Sequence, residues 1–231
     1  MLTKALDLQN PLKLLGFETE DGFPTGGFGA VLARAGVGKT ALLVQLALNA
    51  LFQNNHVLHI SLDDSVKKVT LWYKEVFYHL TKSWTDKQTN QLWETILPHR
   101  FIMTFKVDGF SVPKLEERLT DLKEQDIFSP QVVFIDGFPF SDATGEAISD
   151  LKKLARNQSL KVWFTLRTHR HDTSGPSGIP TQLLSVADMF DVLIKIEPEG
   201  KDVHVKIIKG EAEVLDRPAL LLDPSTMLIK T

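Results

Sequence analysis

Cysteine is absent from the 231 residues, so the chain can form neither a disulfide framework nor a metal site built from thiolates. Long apolar runs are absent as well, because no stretch approaches the roughly 18 residues that are needed to cross a bilayer. Residues 1–16 carry Lys4, Asp7 and Lys13 between their leucines, which interrupts the apolar core that a secretory signal requires. We therefore expect a cytoplasmic protein that makes no contact with a membrane.

Positive charge is not in excess, since 26 Lys and Arg residues stand against 29 Asp and Glu residues and the formal net charge is -3. Such a chain lacks the overall field that draws constitutive nucleic-acid binders to phosphate backbones. Hydrophobic residues make up 43% of the sequence, which is enough for an ordinary apolar core. Single cores are common up to about 250 residues, so we predict one domain over residues 1–231, with a lead segment at residues 1–20.

Short apolar segments that are typical of buried strands alternate with amphipathic segments that are typical of helices. This alternation predicts a three-layer α/β fold, in which helices cover both faces of a mostly parallel sheet. The C-terminal segments are closely spaced and predict antiparallel edge strands. The predicted parallel strands are 29–33, 56–62, 101–105, 132–136 and 161–166, the predicted edge strands are 191–197, 203–209, 219–222 and 227–229, and the predicted helices are 38–53, 66–80, 112–122 and 146–156.

A glycine-containing loop joins the first predicted strand to the first predicted helix. It fits the P-loop pattern that cradles phosphates, except that alanine replaces the first glycine. The backbone amides of the loop and the dipole at the N-terminus of the helix would attract the phosphates, and Lys39 would neutralise the charge of the β- and γ-phosphates. Thr40 offers a hydroxyl to Mg²⁺, which prefers oxygen ligands. We expect Mg-ATP at Ala33, Arg34, Ala35, Gly36, Val37, Gly38, Lys39, Thr40 and Ala41; the alternative is a glycine turn followed by an exposed lysine.

Asp136 ends the apolar segment 132–136, which is typical of the strand that carries a magnesium-associated acid opposite a P-loop. We predict that Asp136 and Thr40 form the metal site. The alternative is an aspartate that caps the turn before Gly137. The P-loop pattern favours the metal site, because the two motifs occur together in nucleotide-binding proteins.

These residues resemble those of the RecA-like ATPases, in particular KaiC-type proteins and the ATPase domain of DnaB-type helicases. Residues 22–27 are similar to the segment that leads KaiC relatives into their first core strand, and residues 33–40 are similar to the DnaB form of the loop. The resemblance implies a RecA-like P-loop fold that binds ATP and Mg²⁺ and assembles into a homo-oligomer. It spans most of residues 21–209.

The resemblance also implies a catalytic role for Asp63 and Asp64, together with Lys39. Asp63 takes the place of the family's catalytic glutamate, and Asp64 corresponds to the second acid of the KaiC pair. The aspartate side chain is one methylene shorter, and a misplacement of about 1 Å can lower a rate around a hundredfold. We therefore expect slow hydrolysis. The alternative is a solvated acidic pair that the start of the next helix favours.

Two further sets of residues correspond to functional positions of these relatives. Thr165 and Arg167 end the strand next to Asp136, where relatives carry a polar sensor of the γ-phosphate; an exposed strand end is the alternative. Lys206 and Lys209 lie where relatives supply a basic finger to the neighbouring subunit's ATP. The usual arginine is absent there, and the alternative is a pair of lysines that solvate an edge strand.

Three functions are consistent with these motifs. The first is a slow Mg-ATPase, a hydrolase that couples its nucleotide state to oligomerisation or to a protein partner. The second is a nucleotide-binding regulatory module that does not hydrolyse ATP. The third is a recombinase or helicase accessory that depends on single-stranded DNA, bound at the predicted mobile loop 167–181. This loop has no aromatic residue for stacking on bases, so the third function is not favoured.

Overall fold

The computed structural model describes residues 9–18, 22–141, 144–168 and 178–230. One eight-stranded sheet runs through this part of the chain. Its strands are β1 (Phe28–Ala33), β2 (Val57–Ser61), β3 (Arg100–Thr104), β4 (Val132–Asp136), β5 (Lys161–Arg167), β6 (Val192–Glu199), β7 (Asp202–Lys209) and β8 (Leu220–Leu222). The α-helices of the described residues are α1 (Pro11–Leu14), α2 (Lys39–Phe52), α3 (Val66–Leu80), α4 (Asp86–Ile96), α5 (Val112–Glu124), α6 (Gly145–Asn157), α7 (Thr181–Leu184) and α8 (Ala212–Leu215).

The sheet has the order β3-β2-β4-β5-β1-β6-β7-β8. Every pairing from β3 to β6 is parallel, whereas β7 pairs antiparallel with both β6 and β8. The prediction of an α/β fold with a mostly parallel sheet and antiparallel C-terminal edge strands is therefore confirmed.

Two hydrophobic cores lie on opposite faces of this sheet, because neighbouring residues of a strand point to opposite faces. Val31 of β1 packs in the core that contains the buried faces of α2 and α3, while Leu32 packs in the core that contains α5 and α6. In β4, Phe134 packs in the core that contains α2 and α3, and Ile135 packs in the core that contains α5 and α6. This arrangement agrees with a three-layer fold.

Serine caps begin two of the long helices. The Ser65 hydroxyl accepts a hydrogen bond from the amide of Lys68 at 3.4 Å, and the Ser111 hydroxyl accepts one from the amide of Lys114 at the same distance. Such caps satisfy amide groups that have no partner within the helix. The two helix starts were predicted from the sequence and are confirmed.

Several elements differ from the sequence prediction, among them the short helices α1, α7 and α8, which were not predicted. Helix α4 was not predicted either, because Leu92, Trp93 and Ile96 are its only apolar residues and Ile96 alone is fully buried. The predicted strand 227–229 is wrong: Met227 has φ of 59° and closes a turn by donating its amide to the Asp223 carbonyl at 2.7 Å. A single bridge between Ile229 and Leu222 is what joins this segment to the sheet.

Residues 1–8 and 19–20 of the predicted lead segment, and residues 169–177 of the predicted mobile loop, lie outside the described residues. Within the described ranges, no helix combines the length and the apolar character that a membrane span requires.

Candidate functional site

Four neighbouring strands bring the predicted site residues to one edge of the sheet. Since β1, β5, β4 and β2 are parallel neighbours, their carboxyl ends lie side by side. Ser61 at the end of β2 is in register with Asp136, and Ala33 at the end of β1 is in register with Arg167. A crevice at the carboxyl ends of parallel strands is the usual position of a ligand site in an α/β sheet.

The glycine loop, residues 33–40, runs from the end of β1 into α2. Gly36 and Gly38 have φ of 76° and 100°, a left-handed region that glycine adopts without strain. Gly38 is also the N-cap of α2, and glycine has no side chain that could cap the first amides of the helix. A Cβ atom at Gly36 would meet no atom within 4 Å, so the loop has open space on that side. The loop therefore offers uncapped helix amides to an anion.

Lys39 is half-buried at the first position of α2. Burial lowers the pKa of its amine and the nearby charge of Arg167 lowers it further, while Asp136 and Asp63 act in the opposite direction. The ammonium group thus has incomplete hydration and lies near both acids. An anion that contacts Lys39 would supply the interaction that water gives to an exposed lysine.

Asp136 is buried at the end of β4, with 8% of the residue exposed. Its Oδ2 accepts a hydrogen bond from the Thr40 hydroxyl at 3.0 Å, and its Oδ1 accepts one from the Thr165 hydroxyl at 2.6 Å. Burial raises the pKa of Asp136, whereas the two hydroxyl hydrogen bonds and the charge of Lys39 oppose this rise. The carboxylate is therefore held between α2 and β5.

Asp63 and Asp64 follow β2 and differ in their contacts. The Asp64 amide donates to the Ser61 hydroxyl at 2.9 Å, and its carboxylate forms a salt bridge with Lys68 at 2.7 Å. Asp63 is exposed, and its carboxylate lies against Gly137, the residue after β4. Of the two predicted catalytic acids, Asp63 is the one without a salt bridge among the described residues.

These side chains line one cleft with a volume of about 530 Å³. The lining residues come from the glycine loop, from the ends of β4 and β5, and from the segments that follow β2 and β4. The lining includes Gly36, Lys39, Thr40, Asp63, Asp64, Asp136, Phe138, Phe140, Thr165 and Arg167. The structure thus brings together all of the predicted catalytic, metal and sensor residues.

Other predicted loop residues support the cleft without lining it. Ala33 and Ala41 are buried, Arg34 is half-buried, and Val37 packs against the core that contains α2. Ala35 does line the cleft, beside Gly36. Gly38 is closely packed, since a Cβ atom there would lie 3.0 Å from Cδ2 of Leu222.

Lys206 and Lys209 lie on β7, outside the lining of the cleft. The Lys206 amine pairs with Glu197 at 3.1 Å, and the Lys209 amine donates to the Ala187 carbonyl at 2.6 Å. Both lysines therefore have partners within this chain. Their predicted role as a basic finger for a neighbouring subunit stays a prediction.

Sequence reasoning missed several residues that line the cleft. Lys68 lies four residues after Asp64, a helical spacing that favours an ion pair and could have revealed it. Phe138, Phe140 and Gln182 carry no comparable signal in the sequence, because their position depends on where the segment after β4 and the helix α7 lie relative to the cleft.

The oxygen atoms of the cleft fit a magnesium ion better than a metal with nitrogen or sulfur ligands. No group of three or more His, Asp or Glu side chains in the described ranges could enclose a metal ion. Mg²⁺ does not require one, since it commonly binds to one or two protein oxygens and completes its shell with phosphate and water. Thr40 and Asp136, whose oxygens are 3.0 Å apart, are suited to that kind of site.

The chain matches no protein-family model and none of the curated proteins with which it was compared. Its function must therefore be argued from the geometry of the cleft.

Proposed function

We propose that the chain is a cytoplasmic Mg-ATP-binding protein of the RecA-like P-loop class, similar to KaiC-type ATPases. In this proposal it hydrolyses ATP slowly and couples its nucleotide state to self-association or to a partner protein. The observation that carries the proposal is the hydrogen bond from Thr40 to Asp136 beside the half-buried amine of Lys39. Together they bring a cation, a hydroxyl and a carboxylate to the start of α2.

The phosphate-binding role belongs to the glycine loop and Lys39. The first amides of α2 have no side-chain cap and point along the helix axis toward the loop, where the helix dipole favours negative charge. Lys39 adds a full positive charge at the same place. Binding a polyphosphate would thereby compensate for the burial that lowers the pKa of this lysine.

The metal-binding role belongs to Thr40 and Asp136. The Thr40 hydroxyl donates its proton to Asp136, which leaves its oxygen lone pairs directed away from that bond and suited to a cation. Mg²⁺, when bound, would neutralise charge on the phosphate oxygens. The carboxylate of Asp136 is acceptor-only when ionised, so it can orient water molecules on the metal.

The RecA-like assignment rests on the resemblance in the sequence and is supported by the strand order. Strand β5 lies between β1, which leads into the glycine loop, and β4, which ends at Asp136. Strand β2, which leads to Asp63, is the next neighbour of β4. The resemblance implies that the sensor residues Thr165 and Arg167 end the strand next to Asp136, and β5 is a neighbour of β4.

Asp63 is the candidate that would orient the attacking water or accept its proton. It is exposed to the cleft, whereas Asp64 is held by Lys68 at 2.7 Å. The short side chain of Asp63 supports slow hydrolysis, and it also favours a second candidate function: a regulatory module that binds ATP without hydrolysing it. Turnover by the purified chain separates the two functions.

Calorimetric titration with ATP and with GTP, in the presence of Mg²⁺, tests the proposal. Lys39→Ala removes the central cation of the site and should weaken ATP binding at least tenfold, the approximate value of a charged hydrogen bond. Lys67→Ala is a matched control, because Lys67 is exposed on α3 and does not line the cleft. It should bind ATP as the native protein does.

The proposal fails if the native protein shows no heat with either nucleotide, or if Lys39→Ala binds as tightly as Lys67→Ala. The mass of the particle in solution, measured with and without Mg-ATP, tests the coupling to self-association. A mass that is the same in both conditions would contradict coupling to self-association and would direct the search to a partner protein.

A further inference from the structure

Thr165 lies near the end of β5, deep in the cleft, with 2% of the residue exposed. Its hydroxyl makes two hydrogen bonds. It donates to Oδ1 of Asp136 at 2.6 Å and accepts from the amide of Gly137 at 2.9 Å. The partners are the last residue of β4 and the residue that follows it, so one side chain of β5 holds two consecutive residues at the end of the neighbouring strand.

The number of protons on each group determines which group donates in each of the two hydrogen bonds. A threonine hydroxyl carries one proton and two lone pairs. The Gly137 amide can only donate, so it occupies a lone pair of Thr165. An ionised carboxylate can only accept, so the single proton of Thr165 points to Asp136.

This arrangement has a consequence for the sensor role that the resemblance implies for Thr165. Phosphate oxygens at neutral pH accept hydrogen bonds, and a sensor must therefore donate a proton to them. Thr165 could donate to a phosphate only by releasing Asp136, which would leave a buried carboxylate oxygen without its partner. Such a loss costs more than an ordinary hydrogen bond gains.

Asp136 is held at both of its oxygens. Thr40 occupies Oδ2 from the side of α2, while Thr165 occupies Oδ1 from β5, and the carboxylate plane is thereby fixed.

We infer that Thr165 is a positioning residue, which orients the carboxylate of Asp136 toward the metal and does not contact the phosphates itself. This inference rests on the proposed function, since it assigns a role within the same Mg-ATP site. Partners that orient metal-binding groups commonly change metal affinity by about 10- to 100-fold when they are removed. The inference therefore predicts an effect on the metal and not on the nucleotide.

The test compares ATP binding in EDTA with the apparent Mg²⁺ affinity at saturating ATP. Thr165→Val keeps the shape of the side chain and removes both hydrogen bonds, and Thr165→Ser keeps the hydroxyl. Thr165→Val should bind ATP in EDTA as the native protein does, and its apparent Mg²⁺ affinity should fall by about 10- to 100-fold. Thr165→Ser should be close to native in both measurements.

A double-mutant cycle shows whether Thr165 acts through Asp136. In an Asp136→Asn background, Thr165→Val should cause no further loss of Mg²⁺ affinity, because the group that it orients has already lost its charge. Circular dichroism and thermal melting establish that each variant is folded. Thr165→Ala is the second variant should the valine variant fail to fold, and the same loss of Mg²⁺ affinity is expected for it.

Three results would overturn the inference: weaker ATP binding by Thr165→Val in EDTA, which would indicate a phosphate contact; unchanged Mg²⁺ affinity; or a serine variant as impaired as the valine variant. An additive cycle with Asp136→Asn would overturn it as well. Failure of the native protein to bind ATP would overturn the proposed function and this inference together, and it differs from the other results because no variant is needed to observe it.

Discussion

The carboxylate of Asp63 lies so close to the Cα of Gly137 that a Cβ atom at residue 137 would be 2.7 Å from Oδ2 of Asp63. Gly137 also has φ of 86°, so a side chain there would be strained as well as obstructed. The two residues come from the ends of neighbouring strands, β4 and β2. Glycine at 137 is what allows the candidate catalytic acid to occupy its position in the cleft.

Gly137→Ala should displace Asp63, because a carboxylate at the end of a short side chain moves more easily than the backbone. Gly200→Ala is the matched control: Gly200 has φ of 64°, and a Cβ atom there would meet no atom within 4 Å. Both variants should lose about 1 kcal/mol of unfolding free energy in urea titrations, owing to left-handed backbone strain. Turnover should fall by about tenfold or more in Gly137→Ala alone. Equal turnover in the two variants would contradict a role for Asp63.

Asp63→Glu should raise ATP turnover by about tenfold or more, because the added methylene extends the carboxylate toward the reacting phosphate and a 1 Å displacement matters strongly. Asp64→Glu is the control, since Asp64 is held by Lys68 at 2.7 Å and by its amide bond to Ser61. It should give no gain. Steady-state release of phosphate measures both variants. If Asp63→Glu hydrolyses ATP no faster than the native protein does, the length of the side chain at residue 63 does not limit the rate.

The buried side chain of His59 should make the unfolding free energy of the protein depend on pH. Burial lowers the pKa of His59 to about 3, and the nearby charge of Arg100 contributes to this effect. Its Nδ1 contacts the Tyr73 hydroxyl at 3.1 Å, while Nε2 is buried without a hydrogen-bond partner in the described chain. Protonation would therefore place a charged, unpaired N–H in the core, which disfavours the folded state.

The unfolded chain binds the proton more tightly than the folded protein does, because its histidine has a pKa near 6.5. The contribution of His59 to stability is thus fully present above pH 6.5 and is lost as the pH falls toward 3. Across this window the loss is on the order of 5 kcal/mol. Urea unfolding of the native protein and of His59→Gln between pH 7 and pH 4 measures it. The glutamine variant should lose less stability on acidification; parallel curves would contradict the prediction.

Measurements of unfolding free energy and of turnover in mixed subunits distinguish the roles of Lys206 and Lys209. Lys209→Met removes one of two donors to the Ala187 carbonyl, which also accepts from the Phe190 amide at 3.2 Å, and should cost about 1 kcal/mol of unfolding free energy. Lys206 pairs with Glu197 at a partly exposed site, so Lys206→Met should cost about 0.5 kcal/mol or less. If Lys206 is the finger, Lys206→Met should lower turnover strongly.

Mixing Lys206→Met with Lys39→Ala tests action between subunits. The Lys39→Ala subunit keeps its finger, and the Lys206→Met subunit keeps its nucleotide site, so mixed assemblies should regain part of the native turnover. Each variant alone provides the baseline. A mixture that is no more active than the sum of its components would indicate that Lys206 only pairs with Glu197 on β7.

The order of helices and strands could be predicted because it depends on local pattern. Apolar runs identify β1, β2 and β4, and serine caps identify the starts of α3 and α5. Helix α4 could not be found in this way, since it buries little apolar surface. The segment near Met227 looked like a strand because its side chains are apolar, but its backbone turns at that residue.

The sequence by itself determined the glycine loop with Lys39 and Thr40, because their spacing along one short segment is the whole of that motif. Tertiary structure decided which distant segments come into contact. Thr40 and Asp136 are 96 positions apart in the sequence and are joined by a hydrogen bond of 3.0 Å, and Thr165 contacts Asp136 from a different strand. Such contacts depend on strand order and register. A single sequence does not encode these in any local pattern, because the hydrogen bonds that set them join residues far apart in the chain.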